Sequence, residues 1–179
     1  AYTCPEPWYS MYDRDSLPMR RPDWLEGKPG LYERIRENRH GDRPGNAALH
    51  RKGNAVYLGM ISYVDMLVGQ ITDCLKETGL YDDTAVILCS DHGDFGGDCG
   101  LAEKWPSAMD DMLTRVPLIM SIPGYRRESS AASEGQRGDD RDPGLRVIST
   151  PTQSMDIMPT IFDLEGIPVG HDQFGVSLK

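Results

Sequence analysis

SDHGDFGGDCG, residues 90–100, follows directly on the apolar run TAVILC, residues 84–89. The run lacks the alternation of a half-exposed strand, so it predicts a buried strand with both faces covered. Ligands of open α/β sheets bind beyond the carboxyl ends of the strands. Asp91 and His92 stand at such an end, followed by glycines and acids, and the pattern therefore predicts a polar site at the tip of this strand.

Asp91 and His92 are the candidate metal ligands. A carboxylate oxygen beside an imidazole nitrogen suits manganese or zinc, and it accepts calcium if further oxygens join. Neighbouring strand residues point to opposite faces, so both side chains reach one ion only if the backbone turns, and Gly93 is expected to permit that turn. Two ligands are too few for a tight site. Without further context, an Asp-His pair that only caps a strand remains an alternative.

Three more charged residues lie close by in the sequence. Asp94 and Asp98 extend the acidic cluster, although acids in glycine loops are commonly just solvated turns. Lys104, in GLAEKWP, is placed to put a point charge on an anionic substrate. The alternative for Lys104 is a solvated surface lysine.

The flanking sequence predicts an α/β fold. Apolar residues at spacings of three and four predict a helix over residues 54–78, which Gly79 ends. A second apolar strand is expected at 116–121. Beyond it, a short strand is expected at 145–149 and a helix at 152–165 with a kink or restart at Pro159.

Composition excludes some classes of function. The net charge of −9 argues against a nucleic-acid partner. We expect no membrane partner, because no apolar run is expected to reach the length of a membrane span. The four cysteines lack metal-site spacing, so reduced thiols are expected, buried in the case of Cys74 and Cys89. The compartment stays open; free thiols and the lack of a signal-peptide pattern favour the cytoplasm.

Residues 85–124, AVILCSDHGDFGGDCGLAEKWPSAMDDMLTRVPLIMSIPG, resemble the C-terminal catalytic segment of the sulfatase family, in the alkaline phosphatase superfamily. The resemblance continues in YLGMISYVDMLVGQITDCLKETGLYDDTAVI, in STPTQSMDIMPTIFDLEGIP and in YTCPEPWYSMYDRD, in the order expected of the family. It implies part of an alkaline phosphatase-like layered sheet flanked by helices. The activity implied is that of an arylsulfatase-like sulfuric ester hydrolase acting on a small-molecule sulfate ester.

The resemblance also assigns roles. Asp91 and His92 match the second pair of metal ligands of the family, for calcium or for manganese or zinc, and Lys104 matches the catalytic lysine that contacts the sulfate group. The family's Cys- or Ser-x-Pro-x-Arg motif supplies a formylglycine nucleophile. CPEPW at Cys4 does not fit that motif, because Glu6 stands where it needs proline. We therefore expect no nucleophile in this chain and expect formylglycine only in a missing N-terminal part.

On this interpretation the chain is an internal fragment, with residues 1–179 forming a partial catalytic domain that is inactive by itself. Its expected parts are a loop-rich segment, a helix–strand–metal loop–strand segment, a mobile polar loop and a C-terminal strand and helix, at residues 1–45, 46–124, 125–144 and 145–179. A half-sheet exposes apolar surface, which predicts a possible homodimer.

Two alternatives to the sulfatase interpretation stay open. A phosphonate monoester or phosphodiester hydrolase of the same superfamily would use the same metal ligands, because sulfur and phosphorus esters present similar tetrahedral oxyanions. A degenerate domain that binds a partner or a ligand without catalysis is the alternative from another class.

Overall fold

A computed structural model of the chain describes residues 2–18, 25–38, 46–104, 108–125, 138–139 and 142–179. The chain divides into two compact units, Ala1–Pro123 and Gly124–Lys179. Both helices and strands are present, as the predicted α/β class requires. The candidate site residues all belong to the first unit.

The first unit places a small sheet beside a long helix. Strands β1 and β2 pair antiparallel, with Val86 opposite Ser121 and Cys89 opposite Leu118. The predicted strands at 84–89 and 116–121 are therefore confirmed in shortened form. In chain order the elements of this unit are a 3-10 helix at Trp8–Ser10, α1 at Gly30–Asn38, α2 at Asn46–Glu77, a 3-10 helix at Tyr81–Asp83, β1 at Val86–Cys89, a 3-10 helix at Asp98–Gly100, α3 at Asp111–Thr114 and β2 at Leu118–Ser121.

Helix α2 begins eight residues before the predicted start and ends as predicted. Gly79 has a φ of +72°, the left-handed conformation that glycine adopts most readily after a helix. The amide of Leu80 donates to the carbonyl of Leu75 at 2.8 Å and the amide of Gly79 to that of Lys76 at 3.1 Å. This pair of hydrogen bonds is the Schellman arrangement, and it satisfies carbonyls that the helix end would otherwise leave unpaired.

An apolar stripe runs along the outside of α2. Ile61, Val64, Leu67 and Ile71 recur at spacings of three and four, so they share one face, and all four are exposed. The sequence predicted exposed apolar surface on the half-sheet, and the stripe on α2 was not predicted. Self-association stays a prediction, which sedimentation at increasing protein concentration would test.

The expectation that both faces of β1 are covered is wrong for the described residues. Val86, Ile87 and Leu88 are half-buried and Cys89 is exposed. The thiol of Cys74 is also exposed, whereas that of Cys99 is buried. The physical reason for the exposure in β1 is that this strand pairs with β2 alone in the described part of the chain, which leaves its other edge without a neighbouring strand.

The expectation of no membrane-length apolar segment also needs correction. The segment Ala47–Glu77 within α2, 31 residues long with a window of mean hydropathy 1.3, is long and apolar enough to cross a membrane by length and composition. A single such helix is weak evidence for a membrane span, because the core helix of a soluble protein meets the same two criteria.

The core of the first unit lies directly under the glycine-rich loop. Phe95 and Leu101 are each only 1% exposed. They pack with Tyr32 of α1 and Leu113 of α3, and the Tyr32 and Phe95 rings meet edge to face at 6.2 Å between centroids. The loop that follows Asp91 and His92 is therefore anchored through its own side chains, although its sequence consists largely of glycine and acids.

The second unit contains strands β3, Gly138–Asp139, and β4, Asp142–Arg146, which pair antiparallel, then a 3-10 helix at Ser154–Asp156 and helix α4 at Ile157–Leu164. Strand β4 lies earlier than the strand predicted at 145–149. Most of the predicted mobile loop, 126–137, lies outside the described residues. Of the expected kink or restart of the helix, the structure has a restart, with an α-helix that begins at Ile157 after the 3-10 helix. Pro159 lies in the first turn of this α-helix, where the missing N–H costs little.

Asp156 holds the C-terminal segment against this helix start. Its two carboxylate oxygens accept hydrogen bonds from the amides of Val176 at 2.9 Å and Gln153 at 2.8 Å. These backbone hydrogen bonds, first from Val176 and then from Gln153, hold the pKa of Asp156 below its ordinary value. The carboxylate is therefore a structural link between residues that are 23 positions apart in the sequence.

Acid is expected to release the C-terminal segment. A carboxyl group with a lowered folded pKa stabilises the fold fully above its unfolded pKa, about 3.9 for Asp, and the stabilisation is lost as pH falls through the lowered folded value. Hydrogen exchange of the Val176 amide, followed by NMR from neutral pH downward, should accelerate in that range. Asp156→Asn should exchange fast already at neutral pH and lose most of the acid dependence, whereas Asp172→Asn, at an exposed site, should behave as wild type. An unchanged acid profile in Asp156→Asn would contradict this role.

Candidate functional site

The backbone turns immediately after β1 and is held there by short-range hydrogen bonds. The Ser90 hydroxyl donates to the His92 carbonyl at 2.8 Å, and the His92 amide donates to Asp91 Oδ1 at 2.9 Å. The Asp91 carboxylate thus stabilises the turn by accepting a backbone hydrogen bond within it. The turn brings two residues that would face opposite ways along a strand to the same side.

Gly93 fixes this turn against helix α3. Its amide donates to the Leu113 carbonyl at 2.8 Å. A Cβ at position 93 would lie 1.9 Å from the carbonyl oxygen of Met112, so the two backbones meet with no room for a side chain. Gly93 is not among the glycines with positive φ. The expectation that glycine is required here for its turning freedom is therefore corrected: it is required for close approach.

The orientation of the His92 ring follows from the same contact. Nδ1 of His92 lies 2.9 Å from the Gly93 carbonyl oxygen. A carbonyl oxygen only accepts hydrogen bonds, so Nδ1 carries the proton. In the neutral ring the lone pair is then on Nε2, the nitrogen directed away from the backbone. This arrangement, with one ring nitrogen donating to a carbonyl and the other bare, is typical of metal-binding histidines.

Asp91, His92 and Lys104 converge at that lone pair. Asp91 Oδ2 lies 3.3 Å from His92 Nε2, and the ammonium of Lys104 donates to the same nitrogen at 2.6 Å. The Asp91 side chain is 82% exposed and that of His92 38% exposed. The hydrogen bond from the His92 amide, helped by the charge of Lys104, holds the pKa of Asp91 below its usual value, so the group is a carboxylate at neutral pH.

Lys104 reaches His92 because the intervening loop closes on itself. The Phe95 amide donates to the Glu103 carbonyl at 3.1 Å, and the Gly97 amide donates to the Leu101 carbonyl at 2.7 Å. These two bonds bring the end of the loop back beside its start. The eleven residues between His92 and Lys104 thus form a closed loop on a buried base of Phe95 and Leu101, and this places the ammonium beside the imidazole.

The other acids of the loop do not join the cluster. Asp94 Oδ2 accepts from the Tyr2 hydroxyl at 2.7 Å and its Oδ1 from the Gly96 amide at 2.6 Å. Burial, together with the Asp94 carboxylate, raises the pKa of Tyr2. Asp98 is buried, at 3% exposure. Within the described ranges, no group of three or more His, Cys, Asp or Glu side chains is placed to hold a metal ion. This part of the chain therefore offers two ligands, Asp91 and His92.

A cleft of about 470 Å³ opens on the other side of the glycine-rich loop. Its lining includes Tyr9, His50, Lys52 and Glu103. Burial lowers the pKa of His50. Asp91 and Lys104 both converge on His92 Nε2, so we place the candidate site there and not in the cleft.

One segment that fits the nucleophile motif of the family was not predicted from the sequence. Ser16-Leu17-Pro18-Met19-Arg20 fits the pattern Ser-x-Pro-x-Arg. Ser16 is exposed and its hydroxyl donates to the Asp13 carbonyl at 2.8 Å within a turn; Arg20 lies outside the described residues. The described contacts of Ser16 are those of a turn residue, and the expectation that this chain holds no nucleophile stays a prediction.

Comparison with known proteins places this chain in a family. Residues 19–167 match the family model described as Sulfatase. Among curated proteins, the chain is 37% identical over 117 residues to a choline-sulfatase of Rhizobium meliloti, covering 65% of this chain and 19% of that protein. It is 30% identical over 174 residues to an N-acetylglucosamine-6-O-sulfatase of Bacteroides thetaiotaomicron, covering 96% of this chain and 27% of that one.

The fold has a solved counterpart in the same superfamily. A phosphonate monoester hydrolase from Silicibacter pomeroyi superposes with a TM-score of 0.74 at 28% identity, covering 99% of this chain and 34% of that one. A multifunctional alkaline phosphatase superfamily protein of Trinickia caryophylli is 29% identical over 174 residues, covering 89% of this chain and 30% of that protein. The predicted α/β, alkaline phosphatase-like fold class is thereby confirmed. The chain spans between a fifth and a third of the length of these relatives.

The tautomer of His92 can be measured directly. Long-range proton–nitrogen correlation at neutral pH should show a protonated Nδ1 and a bare Nε2. Gly93→Ala should lose this signature, because the added methyl pushes residue 93 away from Met112 and moves the carbonyl that holds Nδ1. Gly69→Ala is the matched control, since a Cβ there meets nothing within 4 Å. A protonated Nε2 in wild type, or an unaltered ring in Gly93→Ala, would contradict the geometry.

Proposed function

Because this chain belongs to the sulfatase family, we propose that Asp91, His92 and Lys104 are its share of the catalytic site of a sulfuric ester hydrolase. The observation that carries the proposal is the meeting of a carboxylate oxygen, a bare imidazole nitrogen and an ammonium within 3.3 Å. Residues 1–179 are proposed to be one part of the catalytic domain.

Asp91 and His92 fit a divalent metal ion. The carboxylate is ionised at neutral pH, Oδ2 is free of the turn hydrogen bond that engages Oδ1, and His92 Nε2 presents its lone pair beside it. Oxygen with nitrogen ligation suits manganese or zinc, and calcium if other oxygens complete the shell. A bound divalent ion supplies Lewis-acid stabilisation of negative charge on the ester oxygens. Family members also use formylglycine, which we assign to residues outside this chain.

Lys104 is proposed to bind the oxyanion of the substrate. Its ammonium is a compact charge with three donors, which suits one oxygen of a tetrahedral anion. The imidazole lone pair that Lys104 occupies is the same one that we assign to the metal, and only one cation can take it. Lys104 must therefore swing off Nε2 when a metal binds, and its long flexible stem permits the movement towards the sulfate oxygens.

The chain by itself is proposed to be inactive. The described residues supply two metal ligands and one substrate cation, and catalytic groups that act as a unit lose most of the rate when part of the unit is missing. Binding is therefore the appropriate test of these residues, and turnover of an aryl sulfate by the purified chain above that of the Asp91→Ala, Lys104→Ala double variant would refute the proposed inactivity.

Titration with Mn²⁺ tests the metal assignment. Paramagnetic broadening should be strongest at the His92 ring and at Asp91. Lys104→Met should bind Mn²⁺ more tightly than wild type, because the competing ammonium on Nε2 is gone, and Asp91→Asn should bind it more weakly. Lys52→Met, at the separate cleft, serves as the control and should match wild type. If the broadening does not centre on His92, or if Lys104→Met weakens binding, the assignment fails and the non-catalytic domain becomes the better interpretation.

A phosphonate monoester hydrolase is the second candidate function. The observation that favours it is the superposition on the Silicibacter pomeroyi enzyme over 99% of this chain with a TM-score of 0.74, against 0.53 over 82% for a structure in complex with D-glucosamine-2-N,6-O-disulfate. The two candidates share Asp91, His92 and Lys104 in the same roles. They differ in the ester that is bound beside Lys104.

The two candidates are distinguished by titrating monoanions of equal charge. Methyl sulfate and the methyl ester of methylphosphonate should each be added to the chain loaded with diamagnetic Zn²⁺ while the side-chain signals of Lys104 are followed. The sulfatase proposal predicts that methyl sulfate shifts these signals at lower concentration. Preference for the phosphonate ester would favour the second candidate, and the absence of any shift with either anion would remove Lys104 from substrate binding. The Lys104→Met variant lacks these signals and therefore serves to assign them to Lys104.

A further inference from the structure

We propose that Lys28, Tyr32 and Asp110 are positioning residues that hold the metal-binding face of His92 in place, acting through helix α3 and Gly93. The inference rests on the proposed function of His92 as a metal ligand. None of the three residues contributes to the converging charges at the site.

The three side chains form a largely buried cluster. The Lys28 ammonium and the Tyr32 hydroxyl both donate to the carboxylate of Asp110, one to each oxygen. The side chains of Lys28 and Asp110 are only 18% and 8% exposed, so the ion pair is largely shielded from solvent. Burial and the Asp110 carboxylate raise the pKa of Tyr32 to about 12, so the hydroxyl remains a donor. Burial works to raise the pKa of Asp110, but the hydrogen bonds from Lys28 and Tyr32 outweigh it and leave the pKa lowered.

Asp110 sits at the start of α3 and controls where that helix begins. Its carbonyl accepts the Leu113 amide at 2.8 Å and the Thr114 amide at 3.0 Å, which are the first hydrogen bonds of the helix. Isolated helices shorter than about 12 residues are marginal in water. A helix of four residues, Asp111–Thr114, therefore owes its position to tertiary contacts, and the Asp110 carboxylate provides the contact with α1 and the loop before it.

From α3 an unbroken series of hydrogen bonds leads to the imidazole. The Leu113 carbonyl accepts the Gly93 amide at 2.8 Å, and the Gly93 carbonyl accepts His92 Nδ1 at 2.9 Å. The Met112 carbonyl stands against the Gly93 Cα, so the two backbones cannot slide past each other without separating. A displacement of α3 is thus passed to the carbonyl that orients the ring and selects its tautomer. Outer partners of this kind commonly set the affinity of a metal-binding histidine.

Three variants test the inference on the full 179-residue chain. Tyr32→Phe keeps the buried ring and removes one hydrogen bond; Lys28→Met removes the cation; Asp110→Asn keeps the size and removes the charge. Each should lower the Mn²⁺ affinity at His92, on the order of tenfold for Asp110→Asn, and reduce the population with a protonated Nδ1. Asp111→Asn is the matched control, since Asp111 is the neighbouring acid in the same turn and is exposed; it should leave both measurements unchanged.

A purely structural role gives a different result. Each variant is first checked by circular dichroism and melting, and the comparison is made well below the melting temperature. Folded variants with lower melting temperatures but wild-type Mn²⁺ affinity and wild-type His92 tautomer would overturn the inference. If Asp110→Asn does not fold, Tyr32→Phe decides. If wild type binds no Mn²⁺ at His92, the proposed function fails, and the tautomer measurement alone decides whether the cluster positions the ring.

Discussion

The site depends on one contact between two stretches of backbone, at Gly93 and at the Met112–Leu113 segment of α3. Glycine permits an approach that leaves no volume for a methyl group, and the hydrogen bond from its amide to Leu113 fixes the approach in direction as well as distance. Gly93 is consequently held on both sides, by α3 through its N–H and by His92 through its carbonyl. The contact at Nδ1 orients the ring, so that Nε2 faces Asp91 and Lys104.

This arrangement concentrates charge at an exposed position. Hydrogen bonding within the turn and the nearby Lys104 ammonium favour the ionised form of Asp91, so the turn is compatible with a charged, accessible carboxylate. The ion pair between Lys28 and Asp110 lies at least 18 positions from His92 in the sequence, and we propose that it positions the ring instead of binding a ligand. Under this proposal the exposed charges bind ligands, while the shielded ion pair keeps the loop in place.

The sequence predicted the elements whose signals are local. The apolar strands, the long helix and its end at Gly79 all follow from periodicity and from the conformational preference of glycine, and Asp91 with His92 was recognised by position at a strand end. Features that depend on distant residues were not predicted. Position 93 requires glycine because the Met112 carbonyl, 19 residues further on, leaves no room for a side chain. Likewise, nothing in the local sequence of Lys28 indicates that its partner is Asp110. Cys89 was wrongly predicted to be buried. An apolar run indicates that a strand will be covered, but it does not identify the element that covers it.

Anomalous diffraction from crystals of the chain soaked in MnCl₂ tests the central claim most directly, because it locates the ion independently of any model of its ligands. The account predicts a peak in coordination contact with both Asp91 and His92 Nε2, with the Lys104 ammonium moved off that nitrogen. A map without a peak at this position, in which Lys104 still donates to His92 while manganese scatters elsewhere, would contradict it.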